Sequence, residues 1–189
     1  MAGSSPETVR KPRADAVRNR ERVLEAAKAV FSAGGSEASL EAVARHAGVG
    51  IGTLYRHFPT REDLFEAVYR REVEQLSELA EQLKNAKDPV DALRRWLRSG
   101  VEFVATKKGM VATLALAVQS GSELHAFSFE RLTTAIGSLL DRAITAGAMR
   151  ADISPEDLLR AFFGMCYMHD QAGWQTTALR LLDVFVDGL

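Results

Sequence analysis

Between Ile51 and His57 the sequence IGTLYRH gathers two hydroxyls, a guanidinium and an imidazole, on Thr53, Tyr55, Arg56 and His57. All four groups can bond phosphate oxygens, and Ile51 or the Thr53 methyl can touch a thymine methyl. A second set with chemical potential lies at Cys166, His169 and Asp170. Residues three apart on a helix face one another, so a thiol–imidazole contact is conceivable there. The flanking side chains are apolar, however, and burial raises a thiol's pKa and makes it inert. Zinc needs three or four ligands, which no second Cys/His cluster supplies. The glycines of GVGIG follow no strand, so they form no phosphate-binding loop.

The elements that must position these residues read as helices. Residues 1–14 carry Pro6 and Pro12 without periodicity and are expected to form a flexible arm. A helix follows from about Asp15 to Phe31, with Val23, Leu24, Ala27, Val30 and Phe31 as its apolar face. Gly34 and Gly35 stop it. Ser39 is the N-cap expected for a helix from Leu40 to about His46, and Gly48 ends that helix. The next helix runs from about Ile51 to His57. Thr60 caps a long helix from Arg61 to about Leu83, with Glu62 and Asp63 in its first turn, where the dipole favours acids. Asp88-Pro89 opens a helix to about Thr106. Gly109, Gly121 and Gly147 predict helices near 108–119 and 124–146. Ser154-Pro155 starts another to about His169, and the last covers Trp174 to Asp187. The fold class is all-α, with about nine helices.

Counting Leu40 as the first position, Ala44 is fifth, Gly48 ninth and Leu54 fifteenth. A helix-turn-helix needs a small residue where its helices touch, a glycine in the turn and an apolar anchor on the second helix. Val43, Ala47, Val49 and Phe58 add apolar support. The stretch SLEAVARHAGVGIGTLYRHFPTREDLFEAV closely resembles the N-terminal region of the tetracycline-repressor (TetR/AcrR) family of bacterial transcriptional regulators. The resemblance covers about residues 15–68. It implies that Thr53, Tyr55 and His57 bond the DNA backbone, that Arg61 meets phosphate, and that Ser39 adds a contact. Ile51, Gly52 and Thr53 would lie where base edges are read, with Arg56 on the same outward face. Gly50 stands where the family often has a capping serine, so one hydroxyl is missing. Arg10, Lys11 and Arg13 could enter a minor groove or remain in solvent. The organisation implied is an arm over 1–14, a helix-turn-helix domain over 15–60 and a helical ligand-binding and dimerisation domain over 61–189.

The C-terminal two thirds carries no comparable motif. Leu158, Leu159, Phe162, Phe163, Met165, Cys166, Tyr167 and Met168 cover nearly the whole circumference of one helix, which must then be buried on more than one side. The last helix adds Trp174, Ala178, Leu181, Leu182, Phe185 and Val186. Together these support a two-fold dimer interface built on Leu159, Phe162, Phe163, Cys166, Tyr167, Ala178, Leu181, Leu182 and Phe185, the alternative being a helix buried centrally inside a monomer. A homodimer also suits palindromic half-sites on double-stranded DNA. Phe103, Met110, Leu114, Val118, Phe127, Arg131, Met165 and His169 are the candidates for a ligand pocket, together with His125. The effector expected is low in charge and at least partly apolar. In the family, binding of such a ligand most commonly relieves repression.

Composition bounds these readings. Hydrophobic residues make up 47% and charged residues 26%, enough to bury a core. Net charge is −1, yet residues 1–61 hold 10 Lys+Arg against 6 Asp+Glu, and residues 62–189 hold 14 against 19. Such an imbalance is a weak electrostatic footprint for nucleic acid. A single cysteine, the lack of an apolar N-terminal core and the lack of a long apolar run point to the cytoplasm, with no membrane partner; no cofactor is expected. Two other readings share the sequence: a DNA-binding architectural dimer without a ligand, and a helical enzyme using Cys166 and His169.

Overall fold

A computed structural model of the chain describes residues 11–33, 39–113, 121–168 and 171–189. Among them there are eight helices and no strand: α1 Lys11–Ala33, α2 Leu40–Ala47, α3 Ile51–His57, α4 Arg61–Leu83, α5 Pro89–Thr113, α6 Gly121–Thr145, α7 Pro155–Tyr167 and α8 Trp174–Asp187. The chain divides into two compact units. The first holds the described parts of Met1–Val68 and Gly109–Leu114, and the second those of Tyr69–Lys108 and Ala115–Leu189. The helix α4 therefore contributes its start to the first unit and the remainder to the second.

Local chemistry accounts for four of the eight helix starts. The Ser39 hydroxyl accepts from the Ala42 amide at 3.1 Å and opens α2. At α4, the Asp63 amide donates to the Thr60 hydroxyl at 3.1 Å, while the Asp63 carboxylate accepts from the Thr60 amide at 3.0 Å. This reciprocal pairing is a capping box with aspartate in the third position. The Asp88 carboxylate accepts from the Val90 and Asp91 amides at 2.9 and 3.1 Å, with Pro89 as the first residue of α5. Ser154 does the same for α7, ahead of Pro155.

Two boundaries differ from those expected. The helix α1 begins at Lys11 rather than near Asp15, because Pro12 falls in its first turn, where the missing N–H costs nothing. More consequentially, α5 runs unbroken through Gly109 to Thr113, where the sequence predicted one helix ending and another beginning. That glycine provides close approach, not a break. A Cβ added there would lie 2.0 Å from the Phe31 carbonyl oxygen, closer than any side chain tolerates. Gly34, Gly35, Arg10, Leu114 and Val118 lie outside the described residues, as do His169 and Asp170.

The core of the first unit joins Val23, Leu24, Ala27 and Phe31 of α1 to Val43, Ala44 and Ala47 of α2, Leu54 of α3, and Leu64 and Phe65 of α4. The Phe31 and Phe65 rings stack with centroids 4.4 Å apart. In the second unit, Trp96 is buried and its indole N–H donates to the Leu76 carbonyl at 2.8 Å. Arg142 of α6 reaches the end of α4, donating to the Leu83 and Ala86 carbonyls at 3.2 and 2.6 Å. No helix among the described residues is long and apolar enough to cross a membrane.

Candidate functional site

In the first unit, the turn between α2 and α3 sets the presentation of α3. Gly48 adopts φ 63° and ψ 38°, the left-handed conformation that glycine takes without strain. Its amide donates to the Arg45 carbonyl at 3.1 Å, and the Val49 amide to the Ala44 carbonyl at 3.0 Å. That pair of bonds is a Schellman motif, and it turns the chain sharply into α3. Leu54 then anchors α3 with no exposed surface, supported by Phe58. With that side of a seven-residue helix committed to the core, the opposite side must face outward.

The exposed side carries the residues singled out in the sequence. Ile51 and Tyr55 are 39% and 44% exposed, unusually open for large apolar and aromatic side chains. Gly50, Gly52 and Arg56 are exposed, while Thr53 and His57 are half-buried. Gly50 takes the N-cap position without a side-chain bond, and its carbonyl accepts from the Thr53 amide at 2.8 Å. Ser39 is half-buried and uses its oxygen on the α2 cap. The Arg61 guanidinium rests over the Phe65 ring at 5.4 Å, which fixes its stem at the start of α4. Arg20 similarly covers Phe58 at 5.5 Å.

The second unit contains a cavity of about 340 Å³, lined by Tyr69, Lys107, His125, Ser128, Phe129, Leu132, Arg160, Phe163 and Tyr167. Of the nominated pocket residues that the structure describes, His125 alone is among these. Phe103 is buried behind Tyr69, with ring centroids 5.5 Å apart. Met110 is buried in the first unit. The Phe127 ring is covered by the Arg70 guanidinium at 4.7 Å. Arg131 is exposed on α6, and Met165 is half-buried on α7. Phe163 and Tyr167, expected at a dimer interface, also line the cavity. The sequence did contain a signal for Lys107. It follows Phe103 by four residues and precedes Met110 by three, so it stands on the apolar stripe of α5. Splitting the helix near Gly109 hid that register.

Polar groups inside the cavity are tied together. The Tyr69 hydroxyl donates to Ser128 Oγ at 2.9 Å, and Ser128 donates to the His125 carbonyl at 2.9 Å. Burial raises the Tyr69 phenol above its ordinary value, partly offset by the bond to Ser128. Burial lowers the Lys107 ammonium below its ordinary range. Nearby on α7, burial pushes the Cys166 thiol up to about 12.

The residues nominated for dimerisation divide by exposure. Leu159, Phe162, Cys166, Ala178 and Leu182 are buried inside the chain's own core, each at most 3% exposed. They have almost no surface left to give a partner. Leu181 and Phe185 are half-buried on α8. The large apolar side chains standing out from α8 and the end of α7 are Val184, Tyr167 and Met168, at 72%, 43% and 65% exposed.

Comparison with known proteins places this architecture. The model of bacterial regulatory proteins of the tetR family matches residues 23–68. The model of the C-terminal domain of SbtR-like transcriptional regulators matches residues 88–189, more than half the chain. The chain belongs to the tetR family of bacterial regulatory proteins. This family member is similar to TetR transcriptional regulator SCO0520 from Streptomyces coelicolor, with a TM-score of 0.80 and 41% identity over 90% of this chain and 97% of that one. It is also similar to a TetR transcription regulatory protein from Mycobacterium vanbaalenii, with a TM-score of 0.73 and 34% identity over 94% and 98% of the two chains. The HTH-type transcriptional regulator SAB2452 of Staphylococcus aureus is 32% identical over 111 residues, and the chain spans 58% of its length.

Proposed function

We propose that the chain acts as a homodimer that reads a two-fold symmetric DNA site with its paired α3 helices and represses transcription there until a small effector enters the cavity. The observation that carries this is the division of α3, with Leu54 buried while Ile51 and Tyr55 face outward. Thr53, Tyr55, His57, Ser39 and Arg61 supply backbone contacts, which position the protein without reading sequence. Ile51, Gly52 and Thr53 approach base edges beside Gly50 and Arg56. The matched family models support the assignment of a DNA-binding head and an effector-binding body. The outward apolar side chains of α7 and α8 support pairing of two copies, with Leu181, Val184 and Phe185 nearest the partner.

Release follows as a population shift: the dimer samples spacings of its two reading helices, and the effector favours one that does not fit DNA. The helix α4 carries the chain from one unit into the other without interruption and is the natural lever. The work is binding, done in the cytoplasm, and not catalysis. The thiol of Cys166, at about 12, holds almost no thiolate at neutral pH.

Tyr55→Phe tests the reading. Loss of a hydrogen bond to a charged phosphate costs about 1.5–3 kcal/mol, and the loss falls on specific and non-specific DNA alike. Fluorescence anisotropy across a salt titration, on a site selected from random DNA, measures both. Affinity of Tyr55→Phe equal to that of the wild type at every salt concentration refutes the role of this face.

A further inference from the structure

The cavity of the second unit holds a cation that no carboxylate among the described residues pairs with. Lys107 Nζ lies 5.6 Å from the centroid of the Tyr69 ring, 5.9 Å from Phe163 and 6.0 Å from Tyr167. These separations sit at the outer limit of cation–π attraction, about 6 Å. The three rings therefore surround the ammonium without closely engaging it. Among the described residues, the other ionisable groups of the lining, apart from the tyrosines, are His125 and Arg160, and none is an acid. The guanidinium of Arg160 is already held by Asp157 at 3.3 Å and lies over Phe129 at 5.6 Å.

We propose that this cavity takes a small monoanionic ligand, a carboxylate carried on an aromatic or other flat apolar body, with the carboxylate bonded to Lys107 and the body between the rings. The proposal rests on reading the second unit as the effector domain and names the chemical class of that effector. It departs from the low-charge ligand that the sequence suggested.

Three features select this class. A half-buried ammonium among aromatic rings, with hydrogen-bond donors to spare, is a mismatch that an anion relieves, and a charge-assisted bond forms when it does. One lysine, with Arg160 of the described lining drawn to Asp157 through one guanidinium nitrogen, suits a single negative charge better than a phosphate. The volume of about 340 Å³ lies at the small end of ligand sites, roughly 300–1,000 Å³, which favours a compact ring system over a long chain. The lowered proton affinity of Lys107 agrees, since burial penalises the charge while no anion is present.

The test uses cinnamate and its neutral isostere cinnamamide, titrated into the full-length protein by calorimetry and ligand-observed NMR. The wild type is expected to bind cinnamate about tenfold or more tighter than cinnamamide, the effect of one charge-assisted bond. Lys107→Met keeps the apolar stem and helix propensity while deleting the charge, and should bind the two probes alike. Circular dichroism of the variant verifies its fold, and the comparison of probes on the wild type stands without any variant. Equal affinity of the wild type for both probes, binding of neither, or discrimination that survives Lys107→Met each overturns the proposal. DNA retention is measured separately. Cinnamate that binds through Lys107 yet leaves retention unchanged upholds the anion site and removes only its role in release.

Discussion

Replacing Gly109 by alanine sets two effects of opposite sign against each other. In a helix interior the exchange removes the entropic cost of glycine and gains up to about 1 kcal/mol. At this position the added Cβ would lie 2.0 Å from the Phe31 carbonyl oxygen, whereas ordinary contact begins at 3.4 Å. The two backbones would have to separate by about 1.4 Å, and because the obstructing atom is backbone, no rotamer change relieves it. Separation would also disturb the stacking of Phe31 on Phe65. Overpacking of this kind typically costs about 1–3 kcal/mol, so the clash outweighs the propensity gain. A net loss of roughly 1–2 kcal/mol corresponds to a Tm lowered by roughly 2–8 °C in a chain of this length.

Gly52→Ala is the matched comparison. It lies in α3 of the same unit, and a Cβ there meets nothing within 4 Å, so its stability should hold or rise. Thermal unfolding followed by far-ultraviolet circular dichroism decides, at one fixed protein concentration because the proposed dimerisation would make Tm concentration-dependent. A Gly109→Ala midpoint at or above that of the wild type refutes the close contact, and with it the account of why α5 continues through a glycine.

Two further outcomes follow from the second unit. Arg142→Met removes donors to the Leu83 and Ala86 carbonyls and should cost about 1–3 kcal/mol in urea unfolding; an unchanged midpoint would show that water replaces the guanidinium at no loss. Cys166, with its thiol moved from 9.0 to about 12, should carry roughly a thousandfold less thiolate than an unperturbed cysteine at neutral pH. Maleimide labelling should therefore be slow in the native state and fast in urea, and rapid native labelling would revive a reactive role for this residue.

The sequence by itself determined what short-range chemistry controls. Ser39, Thr60, Asp88 and Ser154 are caps because their side-chain oxygens reach amides two or three residues away. Gly48 ends α2 because the left-handed conformation is cheapest for glycine. Those signals lie within one helical turn, and the placement of α2, α3 and α4 followed from them, as did the outward side of α3. Only tertiary structure decided the matters that depend on distant partners. Gly109 read as a stop until Phe31 stood against it. Once α5 was continuous, Lys107 joined the face that turns toward Tyr69 and Phe163. Leu159 and Leu182, apolar and at helical spacing, could not be assigned to core or interface from one chain's sequence, since hydrophobicity records that a side chain is covered and not what covers it.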